Sequence, residues 1–208
     1  MTKERPLAFT PDMVRAERAG VKTMTRRVLR TQPPEDCGQL GCGIYSPPVV
    51  DRYGDEQPGA ERFGAFTADG SWASPCPYGQ PGDQLWVREH YRVCDGLEAK
   101  PPRDLCPAAR IWYEADAPHQ PGFGKFRPAM FMCRWMSRTL LEITSVRVER
   151  LQDITRGDCM AEGCPFPNIA GGTDPVRWYR ELWEQINGPG SWDANTYVWV
   201  IEFKRINP

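Results

Sequence analysis

The strongest hydrophobic signal lies near the C-terminus, where Tyr197 to Phe203 reads YVWVIEF, a continuous apolar run with alternating aromatics. Such a run predicts a central strand buried on both faces. Thr139 to Leu151 predicts the longest strand: Leu141, Ile143, Val146 and Val148 alternate with Glu142, Thr144, Arg147 and Glu149, and the alternation changes face near Ser145. After the Gly82-Asp83 turn, Gln84 to Glu89 places Leu85 and Val87 on one side and Trp86 on the other, as a buried strand would. Ala109 to Glu114 is a further strand candidate, and Phe131 to Met136 a segment expected to pair briefly.

Helical signals are fewer. Thr10-Pro11-Asp12 supplies a hydroxyl N-cap, a proline at the first helical position and an acid in the first turn, and Gly20 closes the element, so a helix is predicted over 11–19. Thr155 caps a short helix with Asp158 in the capping-box position, and Gly163 ends it. Asp174-Pro175 opens another, in which Val176, Tyr179, Leu182, Trp183 and Ile186 recur at helical spacing before Asn187-Gly188-Pro189 stops it.

Between these elements lie two stretches rich in Pro, Gly, Asp and Ser with no sustained period, at about 31–80 and 90–137. They read as long irregular insertions in one domain spanning 1–208. No strand-helix alternation recurs, so the expected class is α+β, mainly β: a small mixed or closed sheet with peripheral helices rather than a Rossmann-like layering.

Composition narrows the function classes. Of 208 residues, 40% are hydrophobic and 25% charged, ordinary for a globular chain. No run approaches the roughly 18 apolar residues of a membrane span, and charged Met1 to Arg5 is followed by no apolar stretch. The expectation is a cytoplasmic protein without export signal or membrane anchor. Eight cysteines at irregular spacing then read as reduced thiols rather than a disulfide framework. Cys37 with Cys42 and Cys159 with Cys164 share a C-x4-C spacing, and Cys76 adds a thiol beside a turn, but structural zinc sites more often use tighter knuckles, so no metal and no cofactor is expected.

Net charge is −1, which argues against a generic polyanion binder. Residues 1–31, however, carry eight basic side chains against three acidic ones. The densest cluster is Gly20-Val-Lys22-Thr23-Met24-Thr25-Arg26-Arg27, whose cations and hydroxyls can converge on a phosphate or carbonyl oxygen. Extended, it would place Lys22, Met24 and Arg26 on one face and Thr23, Thr25 and Arg27 on the other; it reads equally as a solvated basic strand edge. Glu162 ends the short helix, where an acid opposes the dipole, although alone it reads more readily as a surface charge. His90 and His119 form no hydrolase triad and are read as incidental. Trp86, Trp183 and Trp199 fall on apolar faces, whereas Trp72, Trp135 and Trp192 lie in or near loops, as base-stacking platforms or packed lids.

Four segments in order carry a resemblance: G-x-K-T-x-T-R-R at 20–27, PYG-x-PGD-x-LWVRE ending at Glu89, LEITSVRVERLQDIT at 141–155 and YVWVIEFKRI at 197–206. Together they resemble the ASCH-domain proteins carried by many phages and prophages, over most of the chain outside the two insertions. The resemblance implies a PUA-like β-barrel associated with RNA and modified nucleosides. A compact bacterial branch of that group is an amidohydrolase that removes the acetyl group of N4-acetylcytidine with a lysine, a threonine and a glutamate. By order and local spacing these fall on Lys22, Thr25 and Glu162. The resemblance therefore implies a nucleoside- or nucleotide-directed amidohydrolase with this catalytic triad in a basic cleft. Thr25 would attack the carbonyl, Lys22 would move its proton, Glu162 would orient the lysine or serve the leaving amine, and Thr23, Arg26 and Arg27 would bind substrate. The competing reading is a non-catalytic RNA- or modified-base-binding module using the same cations. The chain is about twice the length of the compact enzymes, so its insertions are expected to reshape the cleft.

Overall fold

The computed structural model describes residues 2–116, 122–165 and 174–206. Strand β1 (Glu4–Ala8) leads into helix α1 (Pro11–Arg18), and a short loop returns the chain into β2 (Met24–Val28). The Thr10 side chain caps α1 by accepting from the Met13 amide at 3.4 Å, and Gly20, at φ 73, makes the left-handed turn out of the helix.

The stretch expected to be irregular at 31–80 contains structure of its own. β3 (Leu40–Tyr45), β6 (Arg62–Thr67) and β7 (Ala73–Pro75) form a three-stranded antiparallel sheet, and β4 (Pro48–Val50) pairs with β5 (Glu56–Pro58) as a hairpin inside it. β4, β5 and β7 span three residues each, and β3 and β6 carry glycines with no clean alternation, which is why periodicity did not reveal them. Gly64 has a reason to be glycine: a Cβ there would lie 2.2 Å from the Ser74 carbonyl of the neighbouring strand.

β8 (Gln84–Arg88) precedes the second elaboration, in which, among the described residues, β9 (Tyr91–Arg92) and β10 (Trp112–Tyr113) are the paired strands. The strand expected over Ala109–Glu114 is thus reduced to two residues. Phe131–Met136 does not pair; it falls in two 3-10 turns, Ala129–Phe131 and Arg134–Met136. His119 lies outside the described residues.

β11 (Leu140–Arg150), α2 (Arg156–Ala161), α3 (Pro175–Asn187) and β12 (Tyr197–Ile206) complete the chain. The main sheet has the order β1-β8-β11-β12-β2; β1 and β8 run parallel and the other pairs antiparallel. The three strands expected to share a sheet do so, and the β11–β12 register shifts between Ile143 and Ser145, where the alternation changes face. The sheet is open rather than a closed barrel, because its edges β1 and β2 share no ladder. What spans the gap is a side chain: the Arg27 guanidinium donates to the Ala8 carbonyl at 2.6 Å.

β12 divides the core. Trp199, Ile201 and Phe203 face a cluster with Leu7, Phe9, Val14, Leu85, Leu141 and Ile143, while Val198 and Val200 face one built with α2 and α3 from Cys159, Tyr179, Trp183 and Trp192. Both faces are covered, so the strand needs no polar side. Trp192 is a packed residue, whereas Trp135 remains 37% exposed. A third cluster, with Trp86, Tyr91 and Met132, anchors the second insertion on the sheet. All eight cysteines are free thiols, and no described helix is long and apolar enough to cross a membrane.

Ile201 is completely buried at the centre of the sheet. Ile201→Ala should lower the free energy of unfolding by about 2–5 kcal/mol, measured as a fall in denaturant midpoint at unchanged slope.

Candidate active site

The loop after α1 is held from two directions. Val21 and Lys22 amides both donate to the Ala16 carbonyl, and the Thr23 amide donates to the Ala161 carbonyl in the last turn of α2. That contact requires α2 to end abruptly. The Gly163 amide donates to Met160 and the Cys164 amide to Cys159, a Schellman closure with Gly163 at φ 101. A Cβ on Gly163 would sit 3.0 Å from Ala16 Cβ and 3.4 Å from Lys22 Cβ, so the turn also needs a residue without one.

This closure delivers Glu162, the C-cap of α2, to Lys22 from 140 residues away. Lys22 Nζ lies 2.5 Å from Glu162 Oε2, with the two side chains 0% and 2% exposed. The ammonium also donates to the Met24 carbonyl at 2.8 Å and the Glu162 carbonyl at 3.1 Å, so its three N–H groups are all engaged. Burial pushes the Lys22 pKa down, and the neighbouring Glu162 carboxylate opposes that without overcoming it. The other carboxylate oxygen, Oε1, accepts from the Tyr179 hydroxyl at 3.4 Å and lies 3.8 Å from Arg26 Nη1. Burial, with Glu162 beside it, holds the Tyr179 phenol well above its ordinary pKa, so it stays a donor.

Arg26 is equally committed. Its guanidinium, without solvent exposure, pairs with Glu149 at 2.5 Å on β11 and Asp158 at 3.1 Å on α2. Asp158 in turn completes the capping box with Thr155 and pairs with Arg147 at 3.2 Å. Burial alone would raise the Asp158 pKa, but hydrogen bonds from Thr155 and the charges of Arg26 and Arg147 bring it below the ordinary value. Arg26 therefore clamps α2 to the sheet. β2 is an edge strand, yet it is not the solvated basic edge its composition allows, because α2 and α3 cover Met24 and Arg26, and Thr25 is buried as well.

Thr25 is 1% exposed. With Arg26, Arg27, Glu162 and Tyr179 it lines a cavity of about 40 Å³, room for one water or a carbonyl group. Through Met13, Leu182 and Glu162 this small cavity adjoins a larger one of about 490 Å³ between α1 and α3. The larger space is lined by Asp12, Arg15, Trp178, Glu181 and Gln185 among others.

Of the six residues the sequence singled out, the structure places Thr25, Arg26, Arg27 and Glu162 on one cavity. Lys22 touches Glu162 from behind and lines neither space. Thr23 is exposed and joins the site only through its backbone. The expected basic cleft is a balanced one: Lys22 and Arg26 are paired, and Asp12, Glu162 and Glu181 line the walls. His90 accepts from the Ala129 amide and stacks on Phe126, while Glu89 beside it pairs with Arg138. Sequence reasoning missed Tyr179 and Trp178 as site residues. Tyr179 fell on the apolar stripe of α3, and only its hydroxyl on a buried position could have separated it from plain core.

Among the described residues no group of three or more His, Cys, Asp or Glu side chains is placed to hold a metal ion. Comparisons with family models, curated proteins and solved structures give no significant match.

The burial of the Lys22–Glu162 pair predicts that Lys22→Met destabilises the protein by about 3–5 kcal/mol, because Glu162 is left charged and unpaired. Adding Glu162→Leu should recover much of that loss in a double-mutant cycle read by denaturant unfolding. The depressed pKa also sets a sign. The unfolded lysine binds its proton more tightly, so Lys22 makes stability rise with pH in the window below its ordinary value of 10.5. Midpoints measured across that window should rise more steeply in the parent protein than in Lys22→Met. Gly163→Ala should cost at least about 1 kcal/mol from the strained φ alone, with the crowding against Ala16 adding to it.

Proposed function

We propose that this chain is an amidohydrolase acting on an N-acylated nucleobase of nucleoside size, similar to N4-acetylcytidine, and that it belongs with the ASCH proteins of PUA-like fold. The observation that supports it most is the Glu162 carboxylate, fixed by Lys22 on one oxygen and Tyr179 on the other, facing the cavity into which Thr25 also opens. A buried carboxylate and a threonine lining one cavity have the composition of a base and its nucleophile.

The chemistry follows from that placement. The nucleoside lies in the 490 Å³ space, where Trp178 offers a stacking face and Asp12, Glu181 and Gln185 offer acceptors and donors. Only the amide carbonyl enters the small cavity. Glu162 accepts the Thr25 proton as Oγ1 attacks the carbonyl carbon, and the Arg27 guanidinium stabilises the oxyanion. Glu162 then gives the proton to the amide nitrogen, the C–N bond breaks and the nucleoside amine leaves, with the acyl group on Thr25. Water cleaves that ester, losing its proton to Glu162, which returns it to Thr25. Lys22 acts through Glu162, holding it oriented, since its own N–H groups are occupied.

The balanced lining, with Asp12 paired to Arg15, Glu181 to Arg177 and Glu162 to Lys22, also weighs against a pure RNA grip, because it offers phosphates no excess of positive charge. Incubation with N4-acetylcytidine, followed by mass spectrometry for cytidine and acetate, tests the reading. Thr25→Ala should abolish turnover while lowering stability by about 1 kcal/mol, Thr25→Ser should retain part of it, and Glu162→Gln should reduce it by about 10² or more. Tight binding without turnover across a panel of N-acylated nucleosides would replace the hydrolase with a modified-base reader.

A further inference from the structure

We infer that the amide this site hydrolyses carries an apolar acyl group larger than acetyl, seated in a pocket that the second insertion builds on the far side of Arg27. The inference rests on the hydrolase reading above and adds the second half of the substrate. An amide has two ends, and the cavity shared by Thr25 and Glu162 has two neighbours. On one side is the polar 490 Å³ space between α1 and α3. On the other, through Met13, Arg27 and Ile186, it adjoins a third cavity of about 270 Å³.

The walls of this third cavity are carbon: Phe9, Met13, Pro128, Ala129, Met130 and Ile186 carry most of them. Its polar groups are few and largely spent. The His90 Nδ1 atom accepts from the Ala129 amide, its ring stacks on Phe126 with centroids 5.1 Å apart, and burial lowers its pKa, so at neutral pH it is an uncharged imidazole. Arg27 sits at the junction, where one Nη donates to the Ala8 carbonyl. Beyond Arg27 at the junction the lining offers a nucleobase few hydrogen-bonding partners, whereas an alkyl chain needs none.

Two large apolar side chains at this pocket stand open to solvent, Met130 at 67% and Ile186 at 44% exposure. A ligand chain would cover them. An acetyl methyl would leave most of 270 Å³ to water, while each further buried methylene contributes roughly a fourfold gain in affinity. His90, Pro128, Ala129 and Met130 all belong to the stretch at about 90–137, so the second insertion supplies the specificity wall.

The test compares kcat/KM for N4-acetyl-, N4-butyryl- and N4-hexanoylcytidine, and for an oligoribonucleotide carrying one N4-acetylcytidine, in the parent protein and in Met130→Asp, whose exposed position tolerates a charge. The expected result is a hexanoyl-to-acetyl ratio of at least about tenfold in the parent, falling severalfold in the variant. A ratio at or below one, or a ratio the variant does not change, overturns the acyl pocket and leaves the hydrolase reading standing. Turnover of the oligonucleotide with none of the nucleosides overturns it too, assigning the third cavity to a flanking nucleotide. No turnover of any substrate removes the hydrolase reading and this inference with it.

Discussion

The buried contact between Lys22 and Glu162 is the constraint around which the rest of the site is arranged. Taking a carboxylate and an ammonium out of water costs several kcal/mol for each ion, and the pair persists only if every remaining donor and acceptor is met. The surroundings meet them: two backbone carbonyls complete the ammonium, and Tyr179, with Arg26 nearby, attends the second carboxylate oxygen. These partners lie on β2, at the end of α2 and on α3, so satisfying one ion pair fixes the loop after α1, the end of α2, the face of α3 and the start of β2 relative to one another. The glycine closure at Gly163 serves the same end, since a helix that ran one turn further would carry Glu162 past its partner.

The same economy governs the other cations of the N-terminal region. Their local excess suggested an anion site, but β2 lies where acids from β11 and α2 converge, and Arg26 is consumed by Glu149 and Asp158. Arg147 extends the network to Glu149, Asp158 and Glu202. What remains available at the cavity is the Arg27 guanidinium, whose Nε has no partner. The carboxylates in the walls are paired too, Asp12 with Arg15, Glu181 with Arg177 and Glu162 with Lys22, and a site of such balanced charge suits a neutral ligand with a polar and an apolar end better than a polyanion.

Much of this frame was legible because it rests on local rules. The caps at Thr10 and Thr155, the helical stripe of α3, the face change in β11 and the two-sided burial of β12 each follow from a few neighbouring residues. The sheets of the first insertion were not legible, because three of their strands span only three residues and the side chains they give the core, such as Ala65, Cys42 and Phe63, are interrupted by glycines. The site was half legible. Lys22, Thr25 and Glu162 stood out by type and order, but burial, which turns two apparent surface charges into a coupled pair, depends on helices that arrive from later in the chain. For the same reason Lys22 is costly to replace, although a partly exposed lysine would not be.

The volumes at the site separate chemistry from selection. A space of about 40 Å³ beside Thr25 admits a carbonyl or a water and nothing larger, so the bulk of any ligand must remain in the flanking cavities. Those cavities are built from different parts of the chain. α1 and α3 form the polar one, and the segment after His90 closes much of the apolar one. Thr25 and Glu162 stand on β2 and the end of α2, locked by the buried ion pairs, while much of the apolar wall stands on an insertion anchored through its own cluster around Tyr91 and Met132. Changes in that wall can therefore reshape the apolar cavity without disturbing the Lys22–Glu162 contact, because no ion pair of the site passes through the insertion.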